Sequence, residues 1–371
     1  MDTIEQLQSI DWNFPHSNRA SSIHSIHPYP AKFIPEIPRN LIEILGLPHH
    51  TCVFDPFCGS GVTLVEAQKQ GYTSIGVDIN PIACLISRVK TTPLTDDIRV
   101  LAETIVSNAK NHCDIASIPA IPNLDHWFQK DIQYAIASLL AQIAMIRDSQ
   151  AQDAVRLALS SILVKVSNQE SDTRYAAIHK PYQADDVYIF FQQAVLKIWQ
   201  ALGSPVKTYP KATIIEKNIL DVSSQDVPHP VGLVITSPPY PNAYEYWLYH
   251  KYRMFWLGHD PQPVKAQEIG ARAHYFKKNA PTVDDFKKQI ESIFQLLHHI
   301  VVSGGYICFV IGRSKIHGQI IDNAALIQEV GRQLGFDEIT TLERVLSKSR
   351  KSFNLSHANI KKEHILIFRR P

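Results

Sequence analysis

Cysteine is scarce in this sequence. There are five in 371 residues, Cys52, Cys58, Cys84, Cys113 and Cys308, and no two stand in a C-x-x-C pair. That spacing argues against a cysteine zinc site or a disulfide framework and fits a reducing compartment. No metal ligand set is expected. No apolar run approaches the roughly 18 residues that a membrane-spanning helix requires. No signal peptide opens the sequence, so a cytoplasmic protein without a membrane partner is expected. Charge of one sign is also missing in bulk. The 37 Lys and Arg residues against 35 Asp and Glu leave a net charge of +2. The total therefore gives no electrostatic case for nucleic acid. Internal repeats and low-complexity tracts are absent, which excludes repeat architectures. The length exceeds that of a usual single core, so one α/β domain with an insertion is expected.

What the sequence does have begins with Val231-Gly232-Leu233-Val234-Ile235-Thr236, an apolar run that reads as a buried parallel strand. Ser237-Pro238-Pro239-Tyr240 follows it. Two prolines forbid both helix and further strand pairing. The result is a stiff loop at the carboxyl end of a strand, where open α/β sheets hold their ligands. A small polar residue opens the loop and an aromatic ring closes it. That combination suits a grip on a flat, amine-bearing ring. A simple rigid turn has the same outline, and the remaining motifs decide between the two.

Thr51-Cys52-Val53-Phe54-Asp55 reads as a short strand ending in an acid. Pro56-Phe57-Cys58-Gly59-Ser60-Gly61 then makes a glycine turn, and Val62, Leu64, Val65 and Ala67 mark a helix. Gly59 and Gly61 allow close backbone approach and unusual dihedrals. A dinucleotide fingerprint, G-x-G-x-x-G, needs a third glycine, and Val62, Thr63 and Leu64 follow here. The chain departs from that pattern. Ser74-Ile75-Gly76-Val77-Asp78 is the next strand. An acid at its tip, about 20 residues past the glycine turn, can accept both hydroxyls of a ribose. Asn80 and Pro81 open the following helix, and Asp78 also reads as a helix cap, a compatible role.

These motifs resemble those of the S-adenosylmethionine-dependent amino-methyltransferases of DNA, the cytosine-N4 and adenine-N6 family, here of the Ser-Pro-Pro-Tyr type. The resemblance implies a Rossmann-like class I methyltransferase sheet, α/β, with a large helical insertion. It implies S-adenosyl-L-methionine as cofactor and double-stranded DNA as substrate. The Asp55, Pro56, Phe57, Gly59 and Gly61 loop would hold the methionine part, and Asp78 and Asn80 the ribose side. Lys32 and Phe33 match a Lys-Phe-x-Pro pattern that folds over the cofactor's methionine end. Ala212 to Asp221 reads as a strand followed by a loop, and Asn218 at the strand end, or Asp221, would meet the adenine amine; the sequence does not separate them. Catalysis would fall to Ser237, Pro238, Pro239 and Tyr240. An exocyclic amine is a poor nucleophile because its lone pair is delocalised into the ring. The Ser237 hydroxyl and Pro238 carbonyl would accept its N–H groups and free that lone pair, and the prolines preorganise the carbonyl. Tyr240 would stack on a base swung out of the duplex, and stacking of about 1–3 kcal/mol offsets part of the extrusion cost.

Three segments organise the chain. Residues 1–90 read as the cofactor-binding half, 91–211 as a helical insertion and target-recognition region, and 212–371 as the catalytic half with a small insertion near 258–285. Stripes at Ile132, Ile136, Leu139, Leu140 and Ile143, and at Val155, Leu159, Ile162 and Val166, give two buried helices of the insertion. Ser167 to Tyr175 reads as a polar loop able to reach base edges. Tyr244 to Leu257 reads as an aromatic helix packed on the sheet. Ile339–Val345 and Glu363–Arg369 read as a terminal antiparallel pair. Between Arg344 and Arg370, basic residues outnumber Glu363 heavily, and Ser347 to Ser352 mixes hydroxyls with cations as phosphate contacts require. Arg272 to Lys278 interleaves cations with aromatics. The expected function is methylation of cytosine N4 in DNA, with a cognate restriction endonuclease as a candidate partner. Ser237 favours cytosine, while the motif order keeps adenine N6 open. A guanine-N2 RNA methyltransferase shares Asp-Pro-Phe-Cys-Gly-Ser-Gly, but usually opens its loop with Asp. A decayed DNA-binding subunit and a nicotinamide dehydrogenase are the remaining alternatives.

Overall fold

A computed structural model describes residues 2–15, 23–111, 117–203, 210–242, 244–316, 318–345 and 362–371. Its centre is a seven-stranded sheet: β1 (Cys52–Asp55), β2 (Ser74–Asp78), β3 (Ala212–Glu216), β4 (Val231–Thr236), β5 (Val301–Gly312), β6 (Asp337–Val345) and β7 (Lys362–Arg369). The order across the sheet is β3-β2-β1-β4-β5-β7-β6. The strands β3, β2, β1, β4 and β5 run parallel, and β7 lies antiparallel to both β5 and β6. Chain direction across the sheet reverses between β1 and β4. That is the switch point where loops at the carboxyl ends of neighbouring strands splay apart and leave a crevice.

Every residue of β1 and β4 is buried, as the unbroken apolar runs demand of strands covered on both faces. Alternation sorts their side chains. Val53, Leu233, Ile235, Cys308 and Val310 pack with Leu7, Ile37 and Leu41, the last two on helix α1 (Glu36–Leu45). Phe54, Val234, Ile307 and Phe309 pack on the other side against helices at Val283–Ile300 and Asn323–Gln333. Helix α2 (Val62–Lys69) follows the glycine turn and α3 (Pro81–Thr91) follows β2.

A third core belongs to the segment between β2 and β3. Helices α4 (Ile98–Asn111), α5 (Lys130–Ala144), α6 (Ser149–Val166) and α7 (Ala184–Leu202) bury Ile105, Ile136, Leu159 and Phe191 together with Ile82 and Leu85 of α3. Three sequence expectations change here. The polar loop after α6 is a hairpin, Gln169–Ser171 paired with Arg174–Ala177. The aromatic helix is two short ones, α8 (Tyr246–Tyr249) and α9 (Lys251–Trp256), which meet at His250. Their buried rings Trp247, Tyr252 and Trp256 pack on the inserted helices rather than on the sheet. A run of rings facing more than one way has no single stripe, so periodicity did not reveal its partner. The terminal pair forms as β6 and β7, whereas Lys348, Arg350, Lys351, Lys361 and Cys113 lie outside the described residues. Among the described residues, no helix is long and apolar enough to cross a membrane.

Candidate active site

The turn after β1 is held by its own backbone. Asp55 Oδ1 accepts the Phe57 amide at 3.1 Å. Gly59 and Gly61 have φ of +49° and +71°, the left-handed region that favours glycine. A Cβ on Gly61 would lie 2.7 Å from Ser87 Oγ and 3.0 Å from Ser87 Cα, so α3 approaches the turn directly. Ser87 Oγ donates to the Gly59 carbonyl at 2.9 Å, and Lys90 Nζ donates to the Ser60 carbonyl at 2.7 Å. Lys90 is buried, and burial together with the nearby Lys32 pushes its pKa well down. Cys58 packs inside the turn as a buried neutral thiol, its pKa driven up by burial.

Asp78 ends β2 and closes over the same turn. Its Oδ2 accepts the Gly59 amide at 2.9 Å and its Oδ1 accepts the Asn80 amide at 2.8 Å. Asn80 caps α3 by accepting the Ile82 amide at 3.0 Å, while its buried Nδ2 has no hydrogen-bond partner among the described residues. Burial pushes both Asp55 and Asp78 up to about 6 despite these donors.

Ser237-Pro238-Pro239-Tyr240 lies beside this turn because β4 is the neighbour of β1. The residue before the loop makes the join: Thr236 Oγ1 donates to Asp55 Oδ1 at 2.8 Å, with both side chains buried. Pro238 is buried, and Ser237, Pro239 and Tyr240 are half-buried. Asn242 fixes the far end, donating from its amide to the Gly270 carbonyl at 2.9 Å and from Nδ2 to the Lys315 carbonyl at 2.7 Å. Gly270 has φ of +74°, and a Cβ there would sit 2.8 Å from the Tyr240 carbonyl oxygen. The Tyr240 hydroxyl donates to Glu363 Oε1 at 2.8 Å.

Tyr29 and Glu268, to which sequence reasoning gave no role, stand here with Tyr244 and Tyr246 of the aromatic run. Tyr29 presses its hydroxyl end on Gly59 and stacks on Tyr246, with ring centroids 5.7 Å apart and planes 29° apart. Tyr246 in turn meets Tyr244 at 5.8 Å. Glu268 is buried, accepts the Tyr246 and Trp247 amides at 2.8 and 2.7 Å, and is pushed up to about 8, chiefly by burial. Tyr29 stood within the His-Pro-Tyr-Pro run, and an aromatic between two prolines was the available signal. Glu268 carried none.

Other expected site residues sit at the margins. Lys32 Nζ donates to the His24 and His27 carbonyls, both at 2.8 Å, so its ammonium braces its own segment. Phe33 packs on the core beneath α1. Asn218 stands after β3, where its Oδ1 accepts the Leu220 amide at 3.1 Å, and Asp221 is exposed.

The hairpin after α6 docks against the segment that follows Ser-Pro-Pro-Tyr. Arg253 of α9 is fully buried and donates to the Ser160 carbonyl at 3.0 Å, to the Tyr249 carbonyl at 3.1 Å and to Asp172 at the hairpin turn. Tyr175 donates to the Leu248 carbonyl, and its ring lies 6.1 Å from Trp127. Among the described residues, no group of three or more His, Cys, Asp or Glu could hold a metal ion.

The glycine turn, Asp78 and the proline loop thus meet at one switch point, with the first two inside the segment that matches a known family. Residues 4–88 match the DNA methylase family model. Curated relatives are similar over longer stretches. The chain is 24% identical over 250 residues to the Type II methyltransferase M.MvaI of Kocuria varians, covering 61% of this chain and 55% of that protein. It is 24% identical over 301 residues to M.BsoBI of Geobacillus stearothermophilus, covering 67% and 55%. Over 89 residues it is 40% identical to M.MjaII of Methanocaldococcus jannaschii, covering 22% and 16%. The chain therefore spans about half the length, or less, of the curated relatives it matches.

Proposed function

We propose that this chain is a DNA methyltransferase that moves a methyl group from S-adenosyl-L-methionine to an exocyclic base amine, the N4 of cytosine. The observation that carries the reading is the 2.8 Å hydrogen bond from Thr236 to Asp55, which sets the Ser-Pro-Pro-Tyr loop beside the glycine turn. The DNA methylase match over residues 4–88 and the Type II methyltransferase relatives support the same reaction class. A methyltransferase of that type fits a restriction-modification pair, with a cognate endonuclease as partner.

The residues present suit the cofactor. Each oxygen of Asp78 has accepted one amide and retains lone pairs for the two ribose hydroxyls. Next to it, Asn80 offers a buried donor without a hydrogen-bond partner among the described residues. Gly59 and Gly61 let the backbone approach closely where a side chain would stand. Asn218 or Asp221, beyond β3, would meet the adenine. The cofactor supplies an electrophilic methyl group on a sulfonium. The protein supplies the orientation and the acceptors. Ser237 and the Pro238 carbonyl take hydrogen bonds from the target amine, which lifts its lone pair out of conjugation with the ring. Tyr240 stacks on the extruded base, at about 1–3 kcal/mol. Tyr29, Tyr244 and Tyr246 wall the crevice against water.

Target choice falls to the segment 91–211. The docked hairpin supports this reading, since a two-stranded ribbon fits the major groove. The test is direct. Duplex DNA from cells expressing the chain is digested to nucleosides and its methylated bases are identified by mass spectrometry. N4-methylcytosine is the expected product. N6-methyladenine would transfer the reading to the adenine branch, and no methylated nucleoside would overturn it.

A further inference from the structure

Tyr240 is the visible end of a buried polar chain. Its hydroxyl donates to Glu363 Oε1 at 2.8 Å, and Glu363 Oε2 accepts Arg344 Nη1 at 3.0 Å. Glu363 and Arg344 face each other across β7 and β6, and their side chains are 16% and 3% exposed. On the inner strand, Glu363's neighbour is Gly312, so no side chain stands at that register of β5.

Proton counting gives this chain a direction. A phenol has one proton and a hydroxyl has one proton with two acceptor sites. Glu363 meets Arg344 through Oε2, and the Tyr240 proton points to Oε1. The same bond pins the tip of the Tyr240 ring, so its stacking face is set before a base arrives.

We infer that Glu363 and Arg344 are positioning residues of the reaction: they fix the tip of the Tyr240 ring and with it the face on which the target base stacks. The inference rests on the methyltransferase reading of the Ser-Pro-Pro-Tyr loop. It is tested on the full chain with S-adenosylmethionine and a duplex carrying the site that the wild-type protein methylates. Tyr240→Phe keeps the ring and removes the hydroxyl. Its kcat is expected to fall about tenfold, the effect of roughly one hydrogen bond, while KM for DNA and for cofactor stays within about twofold. Glu363→Gln retains an acceptor oxygen, so its loss is expected to be smaller and in kcat. The double variant is expected to be no slower than Tyr240→Phe alone, because both changes act on one bond. Unimpaired kcat in Tyr240→Phe, or losses that multiply in the double variant, would overturn the inference. A wild-type chain that methylates no duplex DNA would instead overturn the reading beneath it.

Discussion

Thr236 donates a 2.8 Å hydrogen bond to Asp55, and this contact fastens the end of β4 to the end of β1. It joins two loops whose sequences lie far apart, at the one place where the sheet reverses direction. Thr236→Val removes the donor and leaves the buried carboxyl oxygen short of one partner, with the Phe57 amide still in place. A stability loss of about 1–3 kcal/mol is expected, read from thermal or denaturant unfolding. Methyl transfer is expected to fall more than stability alone explains, because the two loops lose their common reference. Thr236→Ser keeps the hydroxyl and should restore both. A fully active Thr236→Val protein would show that the join is only structural.

Cofactor affinity should depend on pH through Asp78. Burial raises its carboxyl from 3.8 to about 6. Ribose hydroxyls donate, so they need the ionised form. S-adenosylmethionine should therefore bind more weakly as pH falls through about 6, measured by calorimetry. Stability runs the other way: a carboxyl whose folded pKa lies above its unfolded value contributes most below pH 4, and that contribution is lost as pH rises through about 6. Asp78→Asn should bind cofactor weakly at every pH and lose the transition near 6. A transition that survives in Asp78→Asn would assign it elsewhere.

Glu66 gives the opposite stability profile. It lies under α1 with its side chain fully buried and is met by His24, Arg39 and Lys69 at 3.0, 2.9 and 2.7 Å. Burial alone would raise its pKa, but these three partners hold it at about 2, against 4.5 for a free carboxyl. Burial also lowers His24 to about 4, so the imidazole is neutral and donates from Nε2. Both folded pKa values lie below the unfolded ones. Their contribution is complete above about pH 6.5 and is lost first through His24 and then, from 4.5 towards 2, through Glu66. The Glu66 part amounts to about 2 kcal/mol once the half-exposed Arg39 and Lys69 are discounted for screening. Denaturant unfolding between pH 7 and pH 3 should show the decline in the wild type and a flatter profile in Glu66→Gln.

Local signals were legible and distant ones were not. Asp55 and Asp78 end strands and Ser237 follows one, and each is announced by an apolar run followed by glycine or proline, so their common edge could be read from the chain. The parallel order and the terminal antiparallel pair follow the same signals. Glu363 could not be read that way, because it meets Tyr240 across 123 residues and stands in an otherwise ordinary strand. Lys90, Glu268 and Arg253 share that property: each acts on a backbone carbonyl or amide, and backbone partners leave no trace in residue type. Lys32 shows the converse. Its motif was visible, and two carbonyls of its own segment, which no pattern announced, accept from its ammonium.

Arg253 is the largest fully buried side chain and links three elements: α6 through Ser160, α8 through Tyr249 and the hairpin turn through Asp172. Asp172→Ala removes the only carboxylate among these acceptors and leaves a buried guanidinium held by carbonyls. Loss of one partner of a buried pair costs about 3–5 kcal/mol, and the part-exposed Asp172 places this case at or below about 3. The hairpin would also lose this anchor to the segment after Ser-Pro-Pro-Tyr, leaving ties through Tyr175 to the Leu248 carbonyl and the Tyr252 ring. If the hairpin reads bases, Asp172→Ala should methylate sites differing by one base pair more readily relative to the preferred site, at temperatures where the variant is folded. Single-molecule sequencing of methylated DNA gives that ratio directly. An unchanged ratio with lowered stability would confine Asp172 to holding the fold, and would move base recognition to another surface of the insertion.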